Sequence, residues 1–157
     1  MKKFNFLFLL MFLPFVGFTG CEKKPVGEVE PMHWDRDMCE RCKMAISERK
    51  FAVQVINPQN GRVYKFDDIG CALLWMDEEK IPWKEKAIIW ITDAKSGKWI
   101  NARTALYADG AITPMAFGFG AYTKETLPKG AKVFDFTEVT KRVKEIEAQN
   151  SAKVRAY

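Results

Sequence analysis

The chain contains a single histidine, His33, and groups no nucleophile with a base and an acid in the way covalent or acid–base catalysis requires. It has no glycine-rich phosphate loop, so nothing points to nucleotide chemistry. No run of five or more like charges occurs, and basic residues alternate with acidic ones through 140–147. This pattern weighs against a nucleic-acid partner, although the net charge is +5 and the pI near 9.0. Two of the excess positive charges, Lys2 and Lys3, sit at the extreme N-terminus. Beyond the first apolar run, no segment approaches the roughly 20 apolar residues that a membrane-spanning helix needs. The rest is ordinary for a globular protein: 48% hydrophobic and 29% charged residues exclude a disordered or fibrous chain. A length of 157 residues allows one domain, or two very small ones, with a real core.

Residues 1–20, MKKFNFLFLLMFLPFVGFTG, read as a secretory signal peptide: a basic start, a short apolar stretch broken by Pro14, and a small-residue exit. Phe18-Thr19-Gly20-Cys21 looks like a bacterial lipobox, which would make Cys21 the lipidated first residue of the mature chain. The charged segment after it carries Pro25, Gly27 and Pro31, and 21–35 reads as a tether holding a folded part off a membrane. The expected location is the periplasm, anchored by lipid, with the outer membrane favoured over the inner.

The folded part is expected over 36–157. Residues 51–56 are rich in strand formers, Asn57-Pro58-Gln59-Asn60-Gly61 is a turn, and 62–66 return as a second strand. Asp67-Asp68 supplies a helix N-cap, and 69–77 places Ile69, Ala72, Leu73 and Met76 on one stripe. Strand, Gly-ended polar turn and strand then recur over 87–92, 93–97 and 98–100, with Asn101 as a cap for a short segment over 102–107. Residues 133–136 suggest a last strand. The longest helical pattern, 137–149, sets Val139, Val143 and Ile146 on one face. The class is α+β, with antiparallel sheet, built from two small hairpin-plus-helix modules over about 36–80 and 86–150.

The cysteines and methionines carry the chemistry. Met38-Cys39-Glu40-Arg41-Cys42-Lys43-Met44 places two thiols three residues apart, which suits one metal ion or one small-ring disulfide. The flanking methionines narrow the choice, because a thioether is a poor ligand for zinc and a good one for Cu(I). Cys71, on the Trp75 side of the first helix, either points at the Cys-x-x-Cys turn or fills the core. His33 is an available ligand in a loop beside Trp34.

The run Cys39-x-x-Cys42-x-Met44-Ala45-Ile46, followed by Arg49-Lys50-Phe51-Ala52 and Phe66-Asp67-Asp68-Ile69-Gly70-Cys71, resembles the NosL family. Trp99-Ile100-Asn101-Ala102-Arg103-x-Ala105 and Thr113-Pro114-Met115-Ala116-Phe117-Gly118 resemble it too, in the family's order. Lys43 departs from it, standing where the family has glycine. The resemblance implies a copper-binding lipoprotein of two hairpin-plus-helix modules, not an enzyme. It implies Cu(I) held by Cys39, Cys42 and Met44, with Met115 as a distant thioether on a glycine-containing loop. The implied partner is nitrous-oxide reductase or its assembly machinery, an ABC-type transporter with accessory proteins. Two other functions fit the residues. One is a thiol–disulfide protein using Cys39 and Cys42, disfavoured because no strand pattern precedes Cys39. The other is a structural zinc site from Cys39, Cys42, Cys71 and His33.

Overall fold

The computed structural model describes residues 25–155; the signal peptide expected over 1–20 and the lipidation expected at Cys21 lie outside them. The elements are β1 (Val53–Ile56), β2 (Val63–Phe66), α1 (Ile69–Glu78), β3 (Ile88–Thr92), β4 (Trp99–Asn101), β5 (Leu106–Ala108), β6 (Gly120–Tyr122), β7 (Val133–Phe134) and α2 (Phe136–Arg155). They build two antiparallel sheets, ordered β2-β1-β3-β4 and β6-β5-β7, so the α+β expectation holds. Among the described residues no helix is long and apolar enough to cross a membrane.

The repeat seen in the sequence is real at the level of hydrogen bonds. In the β1–β2 turn the Asn57 amide donates to Arg62, Gly61 donates back to Asn57, and the Asn57 side chain accepts from the Gln59 amide. In the β3–β4 turn Asp93, Lys98, Gly97 and Lys95 make the same three bonds. Gly61 (φ 74°) and Gly97 (φ 71°) close the two turns in the left-handed region, which glycine enters without steric cost. Asn60 does not join it, so the first turn is this longer loop and not a two-residue Asn-Gly hairpin. The two hairpins are joined into a single sheet by β1–β3 pairing, with Val53 opposite Ile91 and Ile56 opposite Ile88.

After each hairpin a side-chain oxygen caps the next segment: Asp68 accepts from the Gly70 amide and Asn101 from the Arg103 amide, each at 2.9 Å. Behind Asp68 the chain continues as α1. Behind Asn101 it does not, and the short capped segment expected over 102–107 is a single turn followed by β5. Tyr107 decides this. It is fully buried, its hydroxyl donates to the Ala102 carbonyl, and its backbone lies between Ala121 of β6 and Phe134 of β7. Pairing on both edges outweighs a cap worth about 1 kcal/mol.

Helix α1 is buried along its whole length from Ile69 to Met76, not on one stripe alone, because β1 and β2 cover one side and α2 another. Helix α2 turns Val139 and Val143 fully inward, each worth about 1.5–3 kcal/mol of apolar burial, with Ile146 packed beside them.

Residues 27–31, expected as part of the tether over 21–35, are packed on the domain instead. Lys65, Gln54 and Trp90 form a cross-strand row over β2, β1 and β3, and residues 27–31 lie across it. The Trp90 indole donates to the Gly27 carbonyl, Gln54 exchanges two hydrogen bonds with the Glu30 backbone, and the Lys65 ammonium donates to the Pro31 carbonyl. A buried Gln54 needs such partners, and the chain before the domain supplies them.

Two measurements test this packing. A Cβ on Gly70 would lie 2.1–2.5 Å from the ring of the buried Phe117. Alanine gains about 1 kcal/mol of helix propensity but overpacks the core by about 1–3 kcal/mol, so Gly70→Ala is expected to lower the urea midpoint at unchanged slope. Asp93, fully buried, accepts from the Lys95, Ser96 and Thr123 amides and from the Thr126 hydroxyl. Burial alone would raise its pKa, but these donors outweigh burial and hold it below the ordinary value. The stability it confers is therefore full above the unfolded carboxyl pKa of about 3.9 and is lost as pH falls through the lower folded value. Asp93→Asn leaves buried donors unpaired at about 1–3 kcal/mol. Melting curves should show a large deficit at neutral pH that narrows in acid.

Candidate metal centre

Cys39 and Cys42 lie on a turn anchored by a β-bridge between Met38 and Ala45. The Cys39 amide donates to Met44 at 2.9 Å, the Lys43 amide to Cys39 at 3.0 Å, and the Glu40 amide to Lys65 at 2.9 Å, which fixes the turn to the edge of β2. Closing the turn requires a left-handed residue, and Lys43 takes that conformation at φ 59°. A side chain there costs roughly 1–2 kcal/mol relative to glycine's freedom.

The partners of this turn come from the junction of β2 and α1. Asp68 caps the helix; Asp67, one residue earlier, turns its carboxylate toward the cysteines, and Cys71 sits in the first turn of α1. The Sγ atoms of Cys39, Cys42 and Cys71 and a carboxylate oxygen of Asp67 all lie within 4.8 Å of one another. Cys39, Cys71 and Asp67 are buried and Cys42 is half-buried, so the cluster opens to solvent on the Cys42 side. All three thiols are free.

The cluster is polarised. Cys39 is the most acidic of the three thiols: its pKa falls to about 7 because the Cys71 thiol donates to it, and the Cys42 and Asp67 amides also face its sulfur. The Cys71 thiol is correspondingly pushed up, first by that donation and then by burial. Burial raises Cys42 to about 12, and its thiol donates to Asp67 Oδ2 at 3.3 Å. The other Asp67 oxygen, Oδ1, is buried with no hydrogen-bond partner. An unpaired buried carboxylate oxygen costs about 1–3 kcal/mol, more if charged, and is accounted for if a cation satisfies it. Two or three soft sulfurs with one oxygen can hold a d¹⁰ ion, with thiol protons displaced on binding.

Asp68 faces the other way. Its pKa rises to about 6, chiefly through burial. The Thr113 hydroxyl and the Met115 amide stand near its carboxylate and favour the charged form, but neither reaches full hydrogen-bond geometry with Oδ2. The Thr113-Pro114-Met115 loop is thereby set against the start of α1, where Phe117 fills the space Gly70 leaves. In this loop Ala116 is left-handed at φ 58° and Gly118 donates to the Thr113 hydroxyl at 3.1 Å.

Of the residues named from the sequence, Cys39, Cys42 and Cys71 converge, so Cys71 points at the Cys-x-x-Cys turn. Met44 stands next to this group with 52% of its surface exposed, and Met115 is partly buried against the core beside Asp68. His33 is not among the clustered residues. Its Nδ1 lies 3.5 Å from Asp37, on an exposed corner, so the four-ligand set present is Cys₃Asp and not Cys₃His. The sequence marks Asp67 only as part of a cap. A signal is there all the same: one aspartate suffices for a cap, and the pair supplies two.

No family model and no curated protein matches the chain. Among solved structures it is similar to the crystal structure of the copper chaperone NosL from Shewanella denitrificans, at 16% sequence identity and a TM-score of 0.57. The match covers 73% of this chain and 96% of that one. The chain thus shares the fold of that chaperone, in agreement with the sequence blocks.

Proposed function

We propose that this protein is a Cu(I) carrier that takes up and hands on copper at the Cys39, Cys42 and Cys71 cluster, without catalysing bond chemistry. The observation that carries the reading is the convergence of three free sulfurs, those of Cys39, Cys42 and Cys71, within 4.8 Å, buried but open at Cys42. The shared fold with a copper chaperone supports it.

The handover is ligand exchange. Cys39, whose pKa is drawn down to about 7, is the thiol most readily deprotonated and the first strong ligand. Cys42, half-buried, is the ligand an approaching partner reaches first. Met44 beside the turn and Met115 on the loop facing α1 are neutral thioethers that can share the ion without adding charge, which keeps the metal exchangeable. The recipient that the sequence resemblance favours is nitrous-oxide reductase or its assembly machinery. The signal-peptide and lipobox patterns favour a periplasmic, lipid-anchored protein, with the outer membrane as the anchor.

A structural zinc site is the second reading, and the observation favouring it is the Asp67 carboxylate, a harder donor than copper needs. Competition with a Cu(I) chelator under anaerobic, reducing conditions distinguishes them. Cys39→Ser and Cys42→Ser should weaken Cu(I) binding most, by roughly a hundredfold or more, since each removes a charged soft ligand. Cys71→Ser should also weaken it, and Met44→Leu or Met115→Leu by less than either cysteine change. Asp67→Asn should leave Cu(I) affinity near wild type and depress zinc affinity. Wild-type Cu(I) binding by the cysteine variants would overturn the copper reading; unchanged binding by both methionine variants would remove Met44 and Met115 from the ligand set.

Lipidation is checked separately. Intact mass of membrane-extracted protein should show a lipid increment on a chain that starts at Cys21, and Cys21→Ser should lose membrane retention while keeping metal binding.

A further inference from the structure

We propose that Arg41 is a positioning residue that locks the metal-binding turn to both helices and so sets how fast copper leaves it. The proposal rests on the carrier reading for its functional meaning, but its structural basis is independent of which metal binds.

Arg41 lies inside the Cys39-x-x-Cys42 turn and contributes no ligand. Its guanidinium donates to both carboxylate oxygens of Glu78, at 2.8–3.1 Å, and to Glu147 at 2.8 Å. Glu78 is the last residue of α1 and Glu147 lies in α2, so one side chain joins three separate elements. The Arg41 side chain is 16% exposed, against 50% for Glu78 and 33% for Glu147. Bidentate charge-assisted pairing of this kind is geometrically exacting, and a lysine cannot reproduce it.

The geometry gives the contact a mechanical role. At one end of α1 the turn meets Asp67 and Cys71 through its thiols; at the other end it meets Glu78 through Arg41. These attachments are about seven residues of helix apart, on the order of 10 Å. A turn held at one end can pivot about it, whereas a turn held at both cannot. For Cys42 to swing out and deliver copper, the Arg41 contacts must strain or break along with the Cys42–Asp67 contact. Lys43, left-handed at φ 59°, is the residue next to Cys42 at which the turn closes.

The test is native-state hydrogen exchange of the metal-free protein, paired with the rate at which a chelator strips Cu(I) from the loaded protein. In Arg41→Gln the Cys39 and Lys43 amides, which close the turn, should exchange about tenfold faster, equivalent to ~1.4 kcal/mol, while the β1–β3 amides stay as in wild type. Cu(I) release should accelerate by a similar factor. Glu147→Gln, which keeps the Glu78 pair and spares the turn itself, should give a smaller effect of the same sign, and Arg41→Lys an intermediate one. Faster exchange spread evenly over the sheet would mean ordinary destabilisation and would overturn the proposal, as would wild-type exchange in both Arg41→Gln and Glu147→Gln. Local loosening with no change in copper release would overturn the claim about delivery. If wild type holds no Cu(I) while the exchange pattern appears as expected, the carrier reading fails and the lock stands.

Discussion

Four residues where β2 passes into α1 organise the site: Asp67, Asp68, Gly70 and Cys71 meet the Cys39 turn on one side and the Met115 loop on the other. A helix that starts inside a protein leaves amide groups without partners, and here burial is complete from the first turn. Asp68 answers the amide of Gly70. Gly70 admits the Phe117 ring, which brings the Met115 loop down on the helix. Cys71 faces Cys39, and Asp67 completes the cluster. The requirement to begin α1 in the core thus sets both candidate ligand-bearing segments against the same end of the helix, on opposite sides of it.

Burial also sets the charge of the site. Three thiols and two carboxylates in a low-dielectric setting cannot all ionise, and the protons are distributed unequally: Cys39 low, Cys42 and Cys71 high, Asp68 raised. A soft cation bound beside Cys39 would favour its thiolate further. Asp67 Oδ1, buried without a hydrogen-bond partner, adds to the cost of burying the site. The backbone around the site is held by the bridge between Met38 and Ala45 and by the bond from the Glu40 amide to Lys65.

Charge pairs add to the apolar packing that surrounds the buried cysteines. Arg41 ties the turn to both helices, and Lys84 and Lys144 converge on Asp77 between the same two helices. Exposed pairs of this sort contribute little to global stability, yet they fix where one element lies against another. The residues 27–31, fastened to Lys65, Gln54 and Trp90, give the opposite face of the sheet the same treatment. The domain therefore begins before the cysteine motif, on a strap of chain rather than a free linker.

Local chemistry made much of this visible in the sequence alone. Asn57 with Gly61 and Asp93 with Gly97 announce their turns because few residues bond their own backbone or accept a left-handed φ. Asp68 announces its cap, and Val139, Val143 and Ile146 the inner face of α2, through spacing that any helix imposes. The Cys-x-x-Cys-x-Met run and the blocks around Cys71 and Met115 pointed to the fold and to the candidate donors. Tertiary structure alone decided the rest. Asn101 caps as well as Asp68 does, yet β5 follows it, because Tyr107 is captured between strands distant in the chain. Asp67 differs from Asp68 by one position and no local rule separates their roles; only the approach of the Cys39 turn does. His33 looked as available as Cys71, but a ligand is made by the direction its backbone gives it, and that direction comes from packing between segments far apart in sequence.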